Sequence, residues 1–172
     1  VIEFAQAAKL VKQQHPDWRF LLAGDLDPGN PSGVSKQELD ALQNESGVEW
    51  LGYQADIPRL MAEAHVVCLP TFYGEGLPKT LLEASAAQRA MIATDIAGCR
   101  EVITSGVNGL LVPPRSVEPL AQAMLQLGGD PALRQRLGRA AREKAEAVFA
   151  VEDVVDHTFR VYDELLATCP PR

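Results

Sequence analysis

The sequence has few cysteines and no long apolar run. Its three cysteines, Cys68, Cys99 and Cys169, lie far apart and form no C-x-x-C pair, so neither a disulfide framework nor a zinc site is indicated. No uninterrupted apolar stretch approaches the roughly 18 residues of a membrane span, and the first residues lack the layout of a signal peptide. We therefore expect a soluble protein of the reducing cytoplasm.

An excess of basic residues is also lacking. The chain carries 16 Lys+Arg against 23 Asp+Glu, which gives a formal net charge of −7. Proteins that bind a nucleic acid backbone rely on basic surface, so nucleic acid is not expected as a partner. At 172 residues and 47% hydrophobic, the chain is long enough for one sizeable core and predicts a single domain.

Several common catalytic motifs are absent. There is no G-x-x-x-x-G-K-[ST] phosphate loop and no G-x-S-x-G elbow, and the three histidines stand apart from any metal-binding spacing. Gly74-x-Gly76 begins a dinucleotide fingerprint, but Lys79 stands where its third glycine would be. We interpret the histidines as structural or surface residues.

The periodicity of apolar residues predicts an α/β fold. Short apolar runs alternate with longer stretches of helical period, as expected when crossover helices join parallel strands. A doubly wound domain normally opens with a strand, whereas this chain opens on a helix, so we expect its first strand to precede Val1. The predicted strands are 19–23, 48–51, 66–69, 91–94 and 109–112, and the predicted helices are 1–14, 35–45, 57–64, 78–88, 99–104, 116–128, 131–147 and 151–167.

The segment 70–84, P-T-F-Y-G-E-G-L-P-K-T-L-L-E-A, carries the strongest functional signal. Glu75 stands in a glycine-flanked turn before a helix, and Glu83 lies about one and a half turns inside that helix. Such a helix start offers free N–H groups to a diphosphate, and the two carboxylates can accept hydrogen bonds from a sugar on each side. A nucleoside-diphosphate sugar, which has a sugar on each side of its diphosphate, is such a ligand. The alternative makes Glu83 a solvated residue paired with Lys79 at i−4.

The run from Glu75 to Glu83 resembles the E-x7-E motif of retaining family 4 glycosyltransferases of GT-B fold. The resemblance extends over nearly the whole chain. It implies a Rossmann-like, doubly wound, mostly parallel sheet with helices on both faces, one half of a GT-B fold, in which residues 1–172 form the C-terminal nucleotide-sugar-binding domain. The other matching segments are R-F-L-L-A-G-D at 19–25, V-E-W-L-G-Y at 48–53, I-P-R-L-M-A-E-A-H-V-V at 57–67 and A-T-D-I-A-G-C-R-E-V-I-T-S-G-V-N-G-L-L-V-P-P at 93–114.

The same resemblance implies a role for individual residues. Glu75 would contact the donor sugar as the catalytic residue, and Glu83 would hold the nucleotide ribose. The backbone N–H groups facing the diphosphate would be those of Gly76, Leu77 and Lys79, while the base would lie near Tyr53, Gln54 and Ile57. For the last three, a turn anchored by an ordinary core aromatic and aliphatic residue remains the alternative.

The function implied is transfer, with retention, of a hexosyl or N-acetylhexosaminyl group from a nucleoside-diphosphate sugar, UDP being the expected nucleotide. No cofactor and no metal are expected. The acceptor, a glycan or lipid-linked glycan of bacterial surface polysaccharide or lipopolysaccharide synthesis, would bind through an N-terminal domain outside this chain. The full-length enzyme would be cytoplasmic, either free or associated peripherally with the inner face of the membrane. The isolated chain would be inactive. The alternative is a non-catalytic nucleotide-binding or regulatory α/β module.

Overall fold

A computed structural model describes residues 1–27, 29, 33–74 and 76–168. Helices and strands alternate along most of this part of the chain, and three helices follow one another at its end. The elements are α1 (Ile2–Lys12), β1 (Leu21–Ala23), α2 (Lys36–Ser46), β2 (Glu49–Gly52), α3 (Ile57–Glu63), β3 (Val66–Leu69), α4 (Lys79–Ala86), β4 (Ala90–Thr94), α5 (Ala97–Val102), β5 (Leu110–Val112), α6 (Val117–Gly129), α7 (Pro131–Val148) and α8 (Val151–Thr168).

All described strand pairs are parallel, so the predicted α/β class is confirmed. β1 pairs with β2, and β3, β4 and β5 form a second sheet in that order. The resemblance implies one doubly wound sheet, whereas the described strands form two hydrogen-bonded groups. β1 and β3 each pair with a described strand on one side only, and no described strand joins them.

Helices cover both faces of the three-stranded sheet. Because successive side chains of a strand point to opposite faces, Ala90 and Ile92 of β4 pack with α1 and α6, while Met91 and Ala93 pack with α4 and α5. The strand is consequently buried along its whole length. An uninterrupted apolar run is the pattern of a strand that is covered on both faces.

Capping side chains mark where several helices begin. The Ser35 hydroxyl accepts a hydrogen bond from the Glu38 amide at 3.2 Å, and the Glu38 carboxylate accepts one from the Ser35 amide at 2.9 Å. These two reciprocal hydrogen bonds form a capping box, for which the spacing of Ser35 and Glu38 in the sequence is typical. Asp56 caps α3 and Asp130 caps α7 in the simpler one-way manner.

The last described helix, α8, exposes every residue to solvent. Its apolar side chains, among them Val155, Phe159 and Tyr162, recur at helical spacing along one stripe. The search for membrane spans over the described residues found no helix that is both long enough and apolar enough to cross a bilayer.

Candidate functional site

The candidate site begins at the carboxyl end of β3, where the chain leaves the sheet and enters α4. In open parallel sheets, ligands bind outside the carboxyl ends of the strands. Gly76 and Leu77 are exposed in this turn, and Pro78 is buried at the start of α4. Pro78 has no N–H, and no side chain among the described residues caps the helix. The first amides of α4 are thus directed toward the turn, as in anion-binding helix starts.

Glu83 lies one turn after Lys79 on α4, and the two side chains meet. Lys79 Nζ is 3.4 Å from Glu83 Oε1, with the lysine side chain 87% exposed and the glutamate 38% exposed. The ion pair foreseen as the alternative for Glu83 is therefore present. Such an exposed pair contributes only a few tenths of a kcal/mol. It leaves most of the carboxylate's hydrogen-bonding capacity for another partner.

Glu83 also lines a groove between α3 and α4. The groove has a volume of about 390 Å³ and is lined by Ile57, Pro58, Ala62, Glu83, Ala86 and Ala87. Its walls are apolar except at the Glu83 carboxylate. Apolar walls with one well-placed polar group are typical of small-molecule sites. The structure brings Ile57, predicted near the base, onto the same groove as Glu83, predicted at the ribose.

The other two predicted base residues point elsewhere. The Tyr53 side chain is 74% exposed and does not line the groove. Gln54 Nε2 donates to the Leu51 carbonyl oxygen at 2.7 Å, so its amide is directed toward its own strand. Gly52, with φ at 64°, sets the turn that places both residues there. Their contact with a base stays a prediction.

Glu75 lies outside the described residues, so its assignment to the donor sugar also stays a prediction. The role of the Gly76, Leu77 and Lys79 amides as diphosphate ligands stays a prediction as well. Gly76 and Leu77 lie in the turn between β3 and α4, and Lys79 is the first residue of α4.

A contact that the sequence analysis missed lies beside the turn. Arg115, in the loop after β5, places its guanidinium carbon 4.4 Å from the centre of the Phe72 ring. The Phe72 and Tyr73 rings are themselves 4.4 Å apart. The available signal was topological, since loops that follow parallel strands of one sheet share an edge.

None of the described histidines and cysteines lines the Glu83 groove. His15 stacks on Trp18 with ring centres 4.1 Å apart. Cys68 packs in the sheet, where burial raises the pKa of its thiol to about 12, and Cys99 is fully buried. A search of the described residues for groups of His, Cys, Asp and Glu able to hold a metal ion found none.

Comparison with known proteins identifies the family. The profile described as Glycosyl transferases group 1 matches residues 1–130. The chain belongs to this family. It is 36% identical over 163 residues to an exopolysaccharide phosphotransferase of Streptomyces coelicolor, a match covering 94% of this chain and 17% of that protein. It is 30% identical over 167 residues to the N,N'-diacetylbacillosaminyl-diphospho-undecaprenol alpha-1,3-N-acetylgalactosaminyltransferase of Campylobacter jejuni, covering 96% of this chain and 42% of that protein.

Solved structures of other proteins have the same fold. Sucrose-phosphate synthase from Thermosynechococcus elongatus superposes with a TM-score of 0.84 at 26% identity, covering 98% of this chain and 43% of that one. HepE of Anabaena in complex with UDP and glucose gives 0.81 at 25% identity, covering 93% and 44%. The predicted membership of a glycosyltransferase family with GT-B relatives is thereby confirmed. The chain spans less than half the length of each of these four proteins.

Proposed function

We propose that this chain is the donor-binding domain of a retaining glycosyltransferase that uses a UDP-hexose or UDP-N-acetylhexosamine. The observation that carries the proposal is the half-buried Glu83 carboxylate on an apolar groove beside Ile57, one turn inside a helix whose start has no side-chain cap. The family match and the presence of UDP and glucose in the Anabaena relative support it.

A nucleotide sugar would lie along the site with its base at one end, near Ile57, and its donor sugar at the other, near Glu75. The base would pack on the apolar groove wall near Ile57, and the ribose hydroxyls would donate to Glu83. The diphosphate would face the amides of Gly76, Leu77 and Lys79, where the N-terminal end of the α4 dipole favours negative charge. The donor sugar would then extend toward Glu75.

Transfer would break the bond between the anomeric carbon and the diphosphate and form one from that carbon to an acceptor hydroxyl oxygen on the same face of the sugar, and the hydroxyl proton would pass to the departing diphosphate. The departing diphosphate gains charge in this step, and preoriented amides at the start of α4 would stabilise that charge most where it develops. This chain supplies donor contacts only. We therefore expect weak nucleotide binding and no transfer from the 172-residue chain by itself.

The acceptor class follows from the relatives and is also a proposal. The Campylobacter relative has diphospho-undecaprenol, a lipid carrier, in its name, and the Streptomyces relative is named for exopolysaccharide. We propose a glycan or lipid-linked glycan of bacterial surface polysaccharide synthesis, with the full-length enzyme at the inner face of the cytoplasmic membrane.

A second candidate is a non-catalytic nucleotide-binding module. The observation that favours it is the Streptomyces relative, which is named a phosphotransferase and of which the matching region forms only 17%. Both candidates require nucleotide binding at Glu83, but only the enzyme requires a distinct contribution of Glu75 to sugar binding.

Calorimetric titration with UDP, UDP-glucose, UDP-N-acetylglucosamine and GDP tests the proposal. Glu83→Gln removes the charge but keeps the shape of the side chain. Because a hydrogen bond to a charged group is worth about 1.5–3 kcal/mol, the affinity for UDP and UDP-sugars should fall about tenfold to a hundredfold. Glu75→Gln should weaken chiefly the UDP-sugar.

The matched control is Glu146→Gln. Glu146 pairs with Arg142 at 2.6 Å in the same i,i+4 arrangement, but on α7 and away from the groove. It should leave UDP affinity unchanged. Equal loss in the Glu83 and Glu146 variants, or no nucleotide binding by the wild-type chain at millimolar concentrations, would contradict the donor site. Equal effects of the Glu75 and Glu83 changes on free UDP would contradict the division of roles.

A further inference from the structure

Arg115 has an unusual backbone for an arginine. It follows Pro113-Pro114 at the end of β5, and its φ is 54°, in the left-handed region where side chains other than glycine are strained. Among the described residues, Gln88 is the one other non-glycine with a positive φ. A glycine would adopt this conformation without strain. A contact made by the arginine side chain can offset this cost.

The contact is with Phe72. The Arg115 guanidinium lies over the Phe72 ring at 4.4 Å from its centre, and no described carboxylate forms an ion pair with it. Phe72 in turn stacks on Tyr73 at an interplanar angle of 33°. Since β4 separates β3 from β5, two strand spacings of about 4.8 Å lie between the ends of these strands. The long arginine side chain bridges that separation.

We propose that Arg115 is a positioning residue of the donor loop, defined as residues 72–74 and 76–78. By stacking on Phe72, it ties the start of this loop to the neighbouring loop after β5. The inference rests on the proposed function, because the donor loop carries the amides of Gly76 and Leu77. A loop held in one conformation before binding loses less conformational entropy when the diphosphate arrives.

The expected effect is modest because Phe72 is 38% exposed. A cation over an exposed aromatic ring stabilises the pair enough to change an equilibrium about two- to fivefold. Loss of Arg115 should therefore weaken UDP binding by about that factor, while the groove and Glu83 stay intact.

Arg115→Gly tests the proposal, since glycine keeps the left-handed backbone and removes the guanidinium. Two quantities are measured: ¹⁵N-relaxation order parameters of the amides of residues 72–74, 76 and 77 in the unliganded chain, and UDP affinity by calorimetry. We expect lower order parameters in the variant and a UDP Kd raised two- to fivefold, with a melting temperature equal to or above that of the wild type. Phe72→Leu should behave alike, and the double variant should lose no more than either single one.

The matched control is Gln88→Gly, which relieves the same kind of backbone strain, φ 57°, away from the donor loop. It should leave the order parameters and the UDP affinity unchanged. Unchanged loop order parameters in Arg115→Gly would overturn the proposal whether or not UDP binds. Additive losses in the double variant would also overturn it, because Arg115 would then act on the nucleotide without Phe72. Failure of the wild-type chain to bind UDP would refute the donor site alone, and the relaxation data would still decide the role of Arg115.

Discussion

Gly138 allows α7 to pack closely against the turn that ends α4. A Cβ added at Gly138 would lie closer than 3.0 Å to the Gln88 carbonyl oxygen, 3.1 Å from its carbonyl carbon and 3.5 Å from the Ala90 amide nitrogen. All three are backbone atoms, which cannot swing aside as the end of a flexible side chain can. Arg142, one turn further along α7, donates to the Ala86 carbonyl oxygen and holds the two helices together. Gly138→Ala should therefore force them apart.

Two opposing effects decide the magnitude. Alanine is favoured over glycine by about 1 kcal/mol inside a helix, whereas overpacking a close contact costs about 1–3 kcal/mol. Because the obstructing atoms belong to the backbone, we take the upper part of that cost. The free energy of unfolding should then fall by about 1–2 kcal/mol, or about 2–8 °C in Tm for a domain of this size.

Urea and thermal unfolding of Gly138→Ala measure this loss, and Gly129→Ala is the control. Gly129 is the last residue of α6, and a Cβ there would meet no atom within 4 Å. The control should be as stable as the wild type or slightly more so. Equal stability of Gly138→Ala and Gly129→Ala would refute this reasoning. It would mean that the close approach of α7 to the Gln88 turn does not restrict where α4, the helix that carries Glu83, can pack.

Two further predictions concern buried polar groups. Asn108 is 2% exposed, accepts from the Thr104 amide at 2.7 Å and donates to the Val102 carbonyl oxygen at 2.9 Å. Asn108→Ala leaves both backbone groups unpaired, so the free energy of unfolding measured in urea should fall by about 2–4 kcal/mol. A fall of less than about 1 kcal/mol would contradict this reasoning. Burial raises the pKa of the Cys68 thiol from 9.0 to about 12, so at pH 8 iodoacetamide should label it roughly a thousandfold more slowly than an ordinary thiol. Mass spectrometry of the native chain measures the rate of alkylation at Cys68, and rapid alkylation there would contradict the prediction.

Much of the local structure could be predicted from the sequence because it depends on neighbours a few residues apart. The strand at Val66–Leu69 has the bounds predicted for it, since a short apolar run between turn residues favours a strand. The capping box at Ser35 and Glu38 needs only the spacing of the two residues. The helix expected to reach Gln88 ends at Ala86 instead, and Gln88 adopts a left-handed conformation against α7.

The candidate site divides in the same way. The sequence by itself determined the turn and helix that carry Gly76, Lys79 and Glu83, and the ion pair at i,i+4 follows from helix geometry. Only the tertiary structure decided that Ile57 shares a groove with Glu83 and that Arg115 stacks on Phe72. Such contacts join residues distant in sequence, and they depend on strand order and helix packing, for which no local spacing carries a signal.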